Sequence, residues 1–189
     1  MNEALLRPCT AFDGHRRIAA GPLNEVAIVV RKAVEGEYTG PVHIYDDTSG
    51  DIVDLDPRGS EEEVLERLVP PANEPMGRGR PKLGVVAREV TLLPRHWEWL
   101  GTQPGGASVA IRKLVEEARR SNGEKDRRRA AQEAAYRFMS AIAGDLPGFE
   151  EAARALFAYD RTRFCEMVAG WPEDVRNHAV QLAFADSFD

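Results

Sequence analysis

Residues 70–82, PPANEPMGRGRPK, hold four prolines and two glycines and almost nothing apolar. A stretch of that composition cannot bury enough surface to order itself, and its prolines favour an extended chain. It reads as a linker arm over 70–84 and divides the 189 residues into parts that fold on either side of it. Charge changes sign at the same place. Residues 1–76 carry a net −8, residues 77–129 carry +7 and residues 130–189 carry −5, which leaves the whole chain at −6. A basic middle between acidic flanks can attract phosphate or pair with acidic protein surface. The overall acidity argues against a coat spread along nucleic acid, but leaves room for a local site.

The amount of apolar residue, 43% against 30% charged, supports a packed core, and a mean hydropathy of −0.41 suits a soluble protein. No apolar run approaches the roughly 18 residues of a membrane span. The opening residues MNEALLRPCTAFDG lack the basic end and apolar stretch of a secretory leader, so a cytoplasmic protein is expected. Cys9 and Cys165 are too far apart in sequence and too few for a disulfide framework or a metal box; two buried free thiols are expected.

Before the linker, residues 8–69 read as a small α/β unit. Thr10 to Ala19 reads as a strand pair or a bent strand around Asp13-Gly14, and Asn24 is placed to cap a helix that runs to Val34. Val42 and Ile44 face Ile52, Val53 and Leu55 across the turn residues 46–51, the pattern of a hairpin. Ser60 followed by Glu63 is a capping box, with Val64, Leu65 and Leu68 turned inward. The acidic turn lacks the ordered ligands of a calcium loop, and no metal is expected there. Beyond residue 123 the chain reads as a helical bundle. Its helices cover 125–143, 149–157, a stretch capped by Asp160, and a last one from Glu173; Phe149, Phe157, Phe164, Trp171 and Leu182 are its expected packing residues.

The middle segment, 85–122, carries the functional signal. A strand over 85–93 leads into a helix opened by Pro94, then a turn at Pro104-Gly105-Gly106, then a helix from Val109 to Ser121 with Ser108 as its expected N-cap. This order resembles the ribbon-helix-helix DNA-binding module. The resemblance implies that two chains pair their strands into a ribbon that enters the major groove, and that the second helix aims its first amides at a phosphate. A lone strand with two short helices cannot close a core, so a homodimer is implied, with Val90, Leu92, Trp97, Leu100, Ile111 and Leu114 inside it. Thr91 would face bases, Arg95 the backbone, and Ser108 a phosphate, with Arg88 also among the expected DNA-binding residues. Strand parity also turns Glu89 outward, which favours a purely dimerising strand as much as a reading one.

Immediately before the strand stand Arg78, Gly79, Arg80, Pro81 and Lys82. Arg-Gly-Arg-Pro resembles an AT-hook. Glycine lets the backbone lie deep in the narrow minor groove of A·T-rich DNA, arginines enter its negative potential, and proline turns the chain out. A charged linker without a ligand has the same composition.

Catalytic patterns are missing. The four histidines are scattered, there is no HExxH, phosphate-binding loop or nucleophile elbow, and neither an enzyme nor a cofactor is expected. The stretch GRGRPKLGVVAREVTLLPRHWEWLGTQPGGASVAIRKLVEEARR, with FDGHRRIAAGP before it and RALFAYDRTRFCEMVAGWPEDVRNHAVQLA after it, resembles the bacterial domain-of-unknown-function family numbered twenty-two thirty-nine. That likeness spans most of the chain and implies a bacterial protein, with no activity attached. The expectation is an α+β protein that binds double-stranded DNA as a homodimer and regulates transcription. The alternative is an interaction or assembly module whose middle segment only dimerises.

Overall fold

β-Branched and small residues at Cys9-Thr10-Ala11-Phe12 alternate between two buried faces, and this strand organises the larger part of the molecule. In the computed structural model, which describes residues 3–34, 36, 41–69 and 88–184, a 3-10 turn (Glu3–Leu6) precedes β1 (Pro8–Asp13) and β2 (Arg16–Pro22). Then follow α1 (Leu23–Val34), β3 (Val42–Asp46), β4 (Ile52–Val53) and α2 (Glu61–Leu68). The sheet is antiparallel with order β2-β1-β3-β4, and Thr10 lies opposite Tyr45 in the β1–β3 pair. The remaining helices are α3 (Pro94–Gly101), α4 (Gly106–Ile142), α5 (Phe149–Phe157), α6 (Arg161–Met167) and α7 (Glu173–Phe184).

The chain forms two compact units, residues 1–71 with 126–189, and residues 72–125. In the first unit the period of two along β1 sorts side chains between two cores. Cys9 and Ala11 join Ile44 under Leu23, Val26 and Val30 of α1. Phe12 and Tyr45 face the other way and pack with Ala135, Phe138 and Met139 of α4 and with α5–α7. The sheet and the terminal helices thus share one core. Its aromatic centre is the meeting of Phe12, Tyr45 and Phe138, with Phe138 centred 5.4 Å from Phe12 and 4.9 Å from Tyr45.

Several helix ends follow their local chemistry. Ser60 Oγ accepts from the Glu63 amide at 3.2 Å while Glu63 Oε2 accepts from the Ser60 amide at 2.8 Å, a complete capping box. Replacing Ser60 with alanine is expected to lower stability by about 1 kcal/mol in chemical denaturation; an unchanged midpoint would show that α2 holds by packing alone. Asp160 caps α6 by accepting from the Arg163 amide at 3.0 Å. The Trp171 indole donates to the Pro147 carbonyl at 2.9 Å, which ties the α4–α5 turn to the start of α7.

Four expectations are corrected. Asn24 lies inside the first turn of α1, which begins at Leu23, and is therefore not its cap. The helices expected over 109–121 and 125–143 are one helix of 37 residues, because Ser121-Asn122-Gly123 contains no proline and remains helical. Phe157 is 54% exposed rather than a packing residue of the bundle. Cys165 is only partly buried, whereas Cys9 is fully buried.

Candidate nucleic-acid and dimer interface

Among its described residues the second unit is short of core. Leu100 is buried at 3% exposure, but Val90, Trp97, Trp99, Leu114 and Val115 all remain about half exposed. Side chains of this size each contribute roughly 1.5–3 kcal/mol when removed from water, so several of them left open on one small unit form an incomplete core. The opening has a shape. Leu92, His96, Trp99 and Leu100 form one wall of an apolar groove of about 320 Å³, and Ile111, Leu114 and Val115 of α4 form the other. Those three α4 positions fall at helical spacing and share one face.

Of the expected dimer residues, Leu92, Leu100, Ile111 and Leu114 meet in this groove, while Val90 is exposed beside it in sequence. Trp97 is 44% exposed and is not among the groove residues, whereas Trp99 is one of them. An eight-residue helix has two turns and permits either face. The apolar positions of α4 decide between them, a long-range cue absent from the local pattern.

The strand read over 85–93 is expected to pair with that of a second chain. Residues 88–93 form no ladder, although the backbone at Leu93 is extended (φ −65°, ψ 150°). A ladder requires a second strand, and no described residue of the same chain supplies one. Arg88, Thr91 and Arg95 are all exposed. Neither Arg88 nor Arg95 makes an ion pair among the described residues. Ser108 is corrected from N-cap to a residue within the first turn of α4, which begins at Gly106. The reason is the pair Gly105 (φ +85°) and Gly106 (φ +74°), whose left-handed backbone starts the helix two residues early. The Ser108 carbonyl accepts from Arg112 Nε at 3.1 Å, so Arg112 is folded back along its own helix. The arm residues Arg78, Gly79, Arg80, Pro81 and Lys82 lie outside the described residues.

In the first unit sequence reasoning missed a buried polar cluster. His178 of α7 is 1% exposed, its ring edge-on to Phe138 at 4.7 Å between centroids, and its Nε2 lies 3.3 Å from Asp47 Oδ1. Thr10 donates its hydroxyl to Asp47 Oδ2 at 3.0 Å. The neighbouring Asp46 accepts from the Thr48 and Ser49 amides at 2.8 and 3.2 Å and pairs with Arg7 at 3.2 Å. Asp47 and His178 are 131 positions apart, so no local pattern announces the pair.

Cys9 sits beside the same acids. Burial, reinforced by Asp46 and only partly offset by Arg7, pushes its thiol up to about 12. The thiolate is the nucleophile, so Cys9 cannot act as one near neutral pH. Alkylation of the native protein at pH 8 is expected to label Cys165 and leave Cys9 unlabelled until denaturant is added; rapid native labelling of Cys9 would contradict its placement. Among the described residues no group of three or more histidine, cysteine, aspartate or glutamate side chains could hold a metal ion. No described helix is long and apolar enough to cross a membrane.

No curated protein and no solved structure matches this chain. A family model described as "Uncharacterized protein conserved in bacteria (DUF2239)" matches residues 8–183, nearly the full length, and the chain belongs to that family.

Proposed function

We propose that the protein is a homodimeric DNA-binding regulator whose second unit is completed by its twin. The observation that carries this reading is the open apolar groove between α3 and α4, whose walls have no cover among the described residues of their own unit. A second copy covers it by symmetry: Trp99 and Leu114 of each chain pack against those of the other, and residues 88–93 of the two chains pair as an antiparallel ribbon. Pairing brings two sets of cations to one side. Thr91 then faces base edges, Arg95 a phosphate, and the amides around Ser108 a second phosphate through the positive end of α4, with Arg88 a further cation beside them. Arg78, Gly79, Arg80, Pro81 and Lys82 follow the minor groove on either flank, with a preference for A·T-rich sequence.

A second reading, an assembly module that dimerises without DNA, is favoured by one observation: Glu89 is exposed between Arg88 and Val90, where a carboxylate repels phosphate. The two separate in a duplex-binding titration across a salt series. A regulator loses affinity as salt rises, with a slope of about −0.9 per phosphate neutralised. Replacing Arg78 and Arg80 with alanine is expected to weaken binding and to flatten that slope by about 0.9 for each contact removed. Absence of duplex binding at low salt would leave only the assembly role.

A further inference from the structure

A groove of about 400 Å³ in the first unit lies where the β3–β4 turn, α4 and α7 come together. Its apolar floor is made by Ala130, Ala131 and Ala134 of α4, with Pro8 and Leu182 beside them. The volume suits a small organic molecule rather than a single ion. Its polar residues have a definite order.

The carboxylate is Asp47. Its neighbour Asp46 is already neutralised by Arg7, whereas Asp47 has no cationic Lys or Arg partner among the described residues and retains 19% side-chain exposure. It is also held in place: Thr10 donates to one oxygen at 3.0 Å, and the buried His178 ring stands 3.3 Å from the other. The guanidinium is Arg127, exposed and without a hydrogen bond or ion pair among the described residues. The side chains of Thr48 and Gln181, also on the groove, make no hydrogen bond among the described residues.

The two charges stand at different heights along α4. The β3–β4 turn touches the helix at Ala134, where Gly50 packs directly on the Ala134 backbone, and His178, which faces Asp47, packs on Phe138 one turn further. Arg127 is seven residues before Ala134, about 10 Å along the helix axis, and a helical side chain leans further towards the N-terminus. The alanines lie between, on the same helical face.

We propose that this groove binds a small zwitterion in which several aliphatic bonds separate the charges, the class of ω-amino acids and short peptides. Its ammonium rests on Asp47, its carboxylate on Arg127, and its methylenes on the alanine floor. Thr10 is a positioning residue that fixes the Asp47 carboxylate. The proposal is independent of DNA binding, since every residue in it belongs to the first unit.

Calorimetric titration of the full-length protein with ε-aminocaproate tests it. Binding is expected, with hexylamine and hexanoate each weaker by at least about tenfold, because each leaves one charge of the groove unpaired. L-leucine, whose two charges share one carbon, cannot reach both ends and is expected to be weaker by a similar factor. Asp47→Asn and Arg127→Gln are each expected to lower affinity for ε-aminocaproate at least about tenfold. Arg127 is exposed and its replacement leaves the fold intact, so that variant decides the matter even if Asp47→Asn is unstable. Lack of ε-aminocaproate binding, an unchanged affinity in Arg127→Gln, or equal binding of L-leucine would overturn the assignment.

Discussion

Replacing Gly50 with alanine is expected to destabilise the protein by about 2–5 kcal/mol, enough to consume a large part of the stability of a domain of this size. Two independent costs act at this position. Gly50 has φ +74°, a left-handed backbone that costs an L-residue about 1–2 kcal/mol. An added Cβ would also overlap the carbonyl oxygen of Ala134 and stand 2.7 Å from its carbonyl carbon and 2.9 Å from its Cα. These are backbone atoms of a helix, which cannot swing aside as a flexible side chain does, and overpacking of this kind costs a further 1–3 kcal/mol or so. Gly14 is the control. It too is left-handed, at φ +56°, but an added Cβ there meets nothing within 4 Å, so Gly14→Ala is expected to cost only about 1–2 kcal/mol. Urea midpoints of the two variants measure the difference. Equal shifts would mean that the β3–β4 turn does not seat on α4 as described, and the zwitterion groove beside it would lose its wall.

Phe138→Ala carries a comparable penalty for a different reason. The ring is fully buried and touches three others, with centroids 5.4 Å from Phe12, 4.9 Å from Tyr45 and 4.7 Å from His178. It joins the sheet, α4 and α7 in one place. Removing a buried phenylalanine costs about 3–5 kcal/mol through lost transfer energy and the cavity left behind. Phe157→Ala, at a ring 54% exposed, is expected to cost under about 1 kcal/mol. Denaturant unfolding of both variants checks the contrast. A small effect at Phe138 would mean that the sheet and the terminal helices do not share a core.

Local chemistry made much of this fold legible in the sequence. The turn at Asp13-Gly14, the Ser60–Glu63 box, the Asp160 cap and the bounds of α5 each rest on residues within a few positions of one another, where sterics and short hydrogen bonds decide. The buried stripe Ala134, Ala135, Phe138 and Met139 likewise follows helical periodicity. What escaped were outcomes set by distant parts of the chain. The break expected between residues 121 and 125 falls at Gly123, but a single helical glycine costs only about 1 kcal/mol. Flanking helix formers and the ion pairs Glu116–Arg119 and Asp126–Arg129 carry the helix through it. Trp99 rather than Trp97 faces the groove because Ile111, Leu114 and Val115 lie across from it. Asp47 has the sequence of an ordinary turn residue, and only the fold brings Thr10 and His178 to it. Residues 88–93 alternate as a strand does, yet a ladder cannot form without a partner, which the described residues do not provide.

The central claim is that the groove between α3 and α4 is closed by a second copy, and mass in solution tests it most directly. Sedimentation equilibrium of the full-length chain at micromolar concentration is expected to give twice the 21.0 kDa chain mass. Leu114→Glu places a charge in the groove, and is expected to return the mass to 21.0 kDa with an unchanged circular dichroism spectrum. A wild-type protein that sediments as a single chain across that range would contradict the claim.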